Sequence, residues 1–117
     1  MIARSHRFHG RGSLRHVYDR GQTVRGSALA LRYLLNERRK QYRAAVVVSK
    51  KVDKSAVTRN RIRRRIFEVI RQELPADLPA YDLVVTVFSD KVASWPPETL
   101  HKEVTGLLTQ INTPKKT

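Results

Sequence analysis

The sequence predicts an α/β (α+β) fold, helices packed on a small sheet, from three observations. Segments of helical and of alternating apolar periodicity follow one another along one short chain. A valine-rich strand, a long amphipathic helix and a second valine-rich strand stand in direct succession at residues 42–89, a strand, helix, strand unit. At 117 residues the chain holds enough apolar side chains for one core and too few for two. It is therefore read as a single domain over 1–117, with residues 1–11 as a basic arm and 112–117 as a frayed tail.

The arm, MIARSHRFHGR, lacks apolar periodicity. From Ser13, read as an N-cap, Leu14, Val17 and Tyr18 follow helical spacing, and Gly21 is expected to close this helix in a left-handed conformation. Residues 28–35, ALALRYLL, alternate and predict a strand; residues 42–49, YRAAVVVS, predict a second, buried on both faces. The charged stretch 36–41 between them reads as the connection of a hairpin. Asp53 or Ser55 then caps a helix that runs to about Leu74, because Pro75 and Pro79 prevent continuation. After a turn rich in proline and aspartate, residues 82–89, DLVVTVFS, form a third main strand. Pro97 suits a first helical position, and Leu100, Val104, Leu107, Leu108 and Ile111 mark the packing face of a last helix. Trp95 reads as a core plug at the preceding turn.

Charge narrows the function. The chain carries a formal net charge of +14, a self-repulsion that a polyanion would relieve. Residues 1–72 hold twenty Lys and Arg against four acids, whereas residues 73–117 hold four against six. The binding face therefore belongs to the first two thirds. Arginine outnumbers lysine 16 to 8, and guanidinium forks suit phosphates, base edges and stacking. There are no cysteines, which excludes disulfides and thiolate metal sites. With no signal-like or membrane-length apolar run, the expectation is a cytoplasmic protein with no membrane partner.

The charge peaks in residues 50–71, KKVDKSAVTRNRIRRRIFEVIR, with nine bases and two acids. At about 100° per residue, Ile62, Ile66, Val69 and Ile70 form an apolar stripe. Arg59 and Arg63 border it on one side and Arg65 on the other, with Arg61 farther round and Asn60 and Arg64 opposite. A helix charged merely for solubility would mix signs and support them with i, i+4 pairs. Here Glu68 is the sole acid between Lys54 and Gln72. Phosphates neutralising the first half of this helix, aided by Lys50, Lys51 and Lys54 in the loop before it, explain the pattern. Asn60 adds a donor and an acceptor for a base or a 2′-OH. DNA is not expected, because the helix lacks the turn and partner helix of a helix-turn-helix. A general RNA-binding or ribosomal protein would share the charge.

The segment VVVSKKVDKSAVTRNRIRRRIFEVIR resembles the signature of the protein subunit of bacterial ribonuclease P, with the Arg59-Asn60-Arg61 triplet as its most specific mark. Residues 18–25, YDRGQTVR, resemble the family's pattern closing the first helix, and Asp82 to Val85 its late strand. The likeness covers roughly residues 7–110. It implies an α/β sandwich in the order α-β-β-β-α-β-α, a central mostly antiparallel sheet of about four strands flanked by three helices, and an uncommon left-handed β-α-β crossover; the usual expectation would be right-handed. It further implies a protein cofactor, one in a 1:1 complex with a catalytic RNA that holds Mg²⁺ and removes the 5′ leader of precursor tRNA. No metal is expected on the protein itself. By position, Lys50, Lys51, Arg59, Asn60, Arg61, Arg63 and Arg64 would contact RNA and Tyr18 would line a leader cleft. Leu14 and Arg32 stand where relatives often have aromatics. Either base stacking is weaker there, or Arg32 substitutes a phosphate contact. Ala45 occupies a position often glycine.

No protein nuclease site suggests itself, since the acids are scattered and no His and Lys constellation converges. His6 and His9 read as part of an RNA-facing or disordered arm, Phe8 as its anchor on the domain or a stack for the leader, and His16 and His101 as surface or packed residues.

Overall fold

The computed structural model describes residues 11–36, 41–74 and 80–111. Its elements are α1 (Arg11–Arg20), β1 (Gln22–Arg25), β2 (Leu29–Leu35), β3 (Arg43–Val48), α2 (Ala56–Glu73), β4 (Tyr81–Val87), a short 3-10 helix (Asp90–Ser94) and α3 (Pro97–Leu108). The four strands make one mixed sheet in the order β1-β2-β4-β3. Antiparallel pairing joins β1 to β2 and β2 to β4, and β3 runs parallel to β4. The expected three helices, four strands and order of elements are all present. The arm up to residue 10, the Pro75 to Pro79 turn, residues 37–40 and the tail lie outside the described residues.

One expectation about pairing is overturned. The second and third strands do not form a hairpin, because β4 lies between them. The hairpin is instead β1 with β2, starting from Arg25 opposite Ala30. The reason is burial: β4 is buried at every position except Thr86, so it takes an interior slot where both edges of its backbone find partners. The polar groups around Asp82 fix this order. Its carboxylate accepts from Arg43 Nε and Nη2, both at 2.9 Å, and from Asn36 Nδ2 at 3.0 Å. One buried acid on β4 thus joins β3 on one side to the end of β2 on the other.

Alternation along the strands divides the core. On one face Leu29, Leu31, Tyr33, Ala44, Val46, Val48, Leu83, Val85 and Val87 meet α2 and α3. The stripe predicted on α2 is the one observed, with Phe67 added, and Leu100, Val104, Leu107 and Leu108 anchor α3 as expected. Burying side chains of this size contributes about 1.5 to 3 kcal/mol each, which outweighs the mutual repulsion of the charged outer face of α2. On the opposite face, among the described residues, α1 is the helix that packs. Val17 sits on Ala45 and Val84, with Leu14, Tyr18, Leu34 and Val47 around it.

Two terminal details of α1 differ from expectation. The helix begins at Arg11, so Ser13 lies within it rather than at its N-cap. Gly21 closes the helix without a left-handed backbone; what requires glycine is proximity. A Cβ there would lie 2.5 Å from the carbonyl oxygen of Val17 and 2.9 Å from that of Tyr33, both backbone atoms that cannot swing aside. Gly21→Ala should therefore destabilise the domain by about 1 to 3 kcal/mol, read as a lowered urea midpoint. A neutral or stabilising result would show that α1 can move away from β2 freely.

Candidate nucleic-acid interface

The cationic surface is built from the turn after β3 and the first half of α2. The turn closes as Val52 N–H donates to Ser49 O at 3.0 Å. Asp53 Oδ1 then accepts from Ser55 N–H at 2.8 Å, and Ser55 Oγ accepts from Thr58 N–H at 3.3 Å. Both residues proposed as caps therefore act, Asp53 holding the loop and Ser55 the helix start. Lys50, Lys51 and Lys54 are exposed on this turn and line a shallow depression with Val52, Asp53 and Asp90.

The arginines of α2 separate into two groups. Arg59 turns back on its own loop, Nη1 donating to the carbonyls of Asp53 and Lys54 at 2.9 Å each. Arg63 donates to Asn60 Oδ1 at 2.6 Å and to Val48 O at 3.4 Å, tying α2 to the end of β3. Arg65 is taken up by the 3-10 helix. It donates to the carbonyls of Val92 at 2.8 Å, Ala93 at 2.9 Å and Trp95. Burial, and after it the neighbouring Arg61 charge, lower the Arg65 pKa from the usual arginine value. Arg61 and Arg64 are exposed, as is Asn60, whose amide nitrogen faces outward once its oxygen has met Arg63. Helical phase puts Arg59, Arg63 and Arg65 at the borders of the apolar stripe, yet all three were expected on the RNA-binding face with Arg61 and Arg64; here each also donates to the protein's own backbone. What phase could not supply was the 3-10 helix whose carbonyls receive Arg65.

The second half of α2 is mixed in sign. Arg71 donates to Glu68 at 2.9 Å and, as the foremost influence, holds that carboxyl at about 2. Glu73 meets His101 Nε2 of α3 at 2.5 Å. Within α2 and the turn before it, exposed positive charge that no neighbouring acid balances is thus concentrated at the helix start and the turn. Trp95 is half-buried against the core, the plug expected of it.

A second surface lies where α1 crosses the sheet. Tyr18 reaches Thr86 of β4, the two hydroxyls 3.3 Å apart. Arg32 of β2 lies over the Tyr18 ring, its guanidinium carbon 5.5 Å from the centroid. Its Nη2 donates to Tyr18 O and to Gly21 O, the latter at 3.5 Å. The guanidinium thereby closes the carbonyl end of α1, where positive charge is favoured. Leu14 is half-buried beside it in the α1 contact. Tyr18 and Arg32 are in contact on this face, Leu14 packs with Tyr18 around Val17, and Lys50 and Lys51 follow the C-terminal end of β3. A residue overlooked in the sequence also belongs to this face. Phe88 follows Val84 and Thr86 in the alternation of β4 and is 54% exposed; reading DLVVTVF strictly by twos would have found it.

Among the described residues no three His, Asp or Glu side chains lie close enough to hold a metal ion, and no helix is long and apolar enough to cross a membrane.

A small α/β sandwich with one arginine-rich helix start beside a sheet face crossed by α1 defines a class of RNA-binding protein. The particular family follows from comparison. The chain matches the Ribonuclease P family over residues 2–112. It is 38% identical over 96 residues to the ribonuclease P protein component of a Pseudanabaena species, covering 82% of this chain and 81% of that one. With the Chloroflexus aurantiacus counterpart it shares 36% over 109 residues, 93% of this chain and 79% of the other. Its fold matches the RNase P protein of Staphylococcus aureus with a TM-score of 0.78 at 21% identity, covering 89% of this chain and 93% of that one. For the Thermotoga maritima protein the TM-score is 0.73 at 19% identity, with 86% and 92% covered. The chain belongs to the ribonuclease P protein family and is a protein subunit of the endoribonuclease that matures tRNA 5′ ends.

Proposed function

We propose that this subunit grips the catalytic RNA with the turn after β3 and the start of α2, and holds the 5′ leader of precursor tRNA along the sheet face crossed by α1. The observation that carries the reading is the separation of the α2 arginines. Arg59, Arg63 and Arg65 build the surface, while Lys50, Lys51, Lys54, Asn60, Arg61 and Arg64 face outward from it. Phosphates on that surface would relieve its repulsion. Tyr18, Leu14 and Arg32 then belong to the leader cleft, with Arg32 holding α1 in place rather than serving mainly as a phosphate contact. Mg²⁺ and the cleavage chemistry belong to the RNA, and one protein pairs with one RNA.

Reconstitution tests this division of labour. The purified protein should leave precursor tRNA intact, with or without Mg²⁺. Added to its cognate RNA, it should lower the Mg²⁺ concentration needed for cleavage, because its cations screen phosphate repulsion between ribozyme and substrate. Cleavage by the protein alone, abolished by a chelator, would overturn the reading.

A further inference from the structure

We infer that Phe88 is a base-stacking platform at the far end of the leader cleft, an inference that rests on the proposed leader contact and assigns it a second aromatic. Among the described residues, Phe88 and Val57 are the large apolar side chains left exposed, and Phe88 is the aromatic one. An isolated exposed apolar residue needs no explanation; the placement of this one does. Its N–H donates to Ala28 O at 2.8 Å, so the backbone still follows β2 one residue past the strand end. Alternation from Val84, under α1, and Thr86, at the Tyr18 hydroxyl, carries the Phe88 ring to that same face. It stands about 7 Å beyond Thr86, at roughly 3.4 Å per residue.

The surroundings favour single-stranded RNA as the occupant. Val48 pairs with Val87, so Ser49 comes alongside Phe88, and Lys50 and Lys51 follow at once on the exposed turn. Arg25 ends β1 on the same side of the sheet, opposite Ala30. An exposed ring with cations on both sides is the pairing that binds single strands: the ring takes a base face and the cations take the flanking phosphates. At the other end, Tyr18 is already covered on one side by the Arg32 guanidinium, and Leu14 offers no ring. Phe88 thus supplies the open aromatic surface that the α1 end lacks, and it sits where the cleft meets the cationic turn.

The test uses holoenzyme reconstituted from this chain and its cognate RNA, with precursor tRNAs bearing long leaders and with mature tRNA. Phe88→Ala should weaken binding of the long-leader substrate by roughly 5- to 100-fold, the range for loss of one stacked base, and leave mature tRNA affinity unchanged. Phe88→Trp should restore the loss. Because the ring is largely exposed, the thermal midpoint of the alanine variant should match that of the wild type, which excludes misfolding as the cause. A wild-type holoenzyme that prefers long leaders, together with an alanine variant that keeps this preference, would overturn the role of Phe88 alone. A wild type indifferent to the leader would overturn the cleft reading beneath it.

Discussion

Replacing Asp82 with alanine is expected to cost about 3 to 5 kcal/mol of folding stability, the range for breaking a buried ion pair from one side. The Asp82 residue is 2% exposed and its carboxylate accepts three hydrogen bonds, two from Arg43 and one from Asn36. Without it, the Arg43 guanidinium, on a side chain only 16% exposed, keeps its charge and loses the carboxylate that accepts from both its Nε and its Nη2. A domain of this size has about 5 to 15 kcal/mol in total, so the loss should shift a urea or thermal transition far to the unstable side. The same carboxylate joins β3, β4 and the end of β2, so the damage should concentrate at the β3 edge, visible as faster amide exchange in β3 than in β1. Replacing both partners by apolar residues, Arg43→Met with Asp82→Leu, should recover a substantial part of the loss, because both charges of the pair then leave the interior together. A single alanine variant that unfolds within about 0.5 kcal/mol of the wild type would mean that the pair contributes little to the fold.

Asp82 also shows where the sequence was legible and where it was not. Periodicity identifies the three α-helices and the three longer strands, because burial on one face leaves a pattern in the chain itself. The short β1, whose four residues are mostly exposed, leaves little such pattern and was expected only from the family likeness. Strand order is a property of pairs, and nothing in residues 28–49 distinguishes a β2–β3 hairpin from strands parted by a third. The information lay in a lone acid opening an apolar strand and in a lone Arg43 opening another, a pairing visible only once the strands are placed. The same limit applies at Arg65: its distance from the helical stripe was readable, but the carbonyls of Val92, Ala93 and Trp95 that receive it come from a 3-10 helix with no periodicity of its own. At Gly21 the sequence points to a helix end but not to why glycine stands there, because close approach to Tyr33 O depends on β2, twelve residues on. Phe88, in contrast, was legible and passed over. It continues a strict alternation, and its chemistry emerges only when Thr86 is seen to meet Tyr18.

The division of the α2 arginines leads to an expected result in which stability and affinity part company. Arg61 and Arg64 are exposed on the outer face of α2; an arginine that neutralises one phosphate contributes about one unit to the slope of log K against log salt. Arg61→Ala and Arg64→Ala should each lower the slope for binding the catalytic RNA by about one, and the double variant by about two, with stability within about 0.5 kcal/mol of the wild type. Arg65→Ala should do the reverse. It removes a charged donor from three carbonyls at the end of the 3-10 helix, and hydrogen bonds from charged groups contribute about 1.5 to 3 kcal/mol net. Its folding stability should therefore fall by an amount of that order while its salt slope stays that of the wild type. Measuring both quantities on each variant separates the roles, because a uniformly charged helix lying on RNA would give three equal slopes. A reduced slope with unchanged stability in Arg65→Ala would place that guanidinium on the RNA, and would mean that it leaves the 3-10 helix when the complex forms.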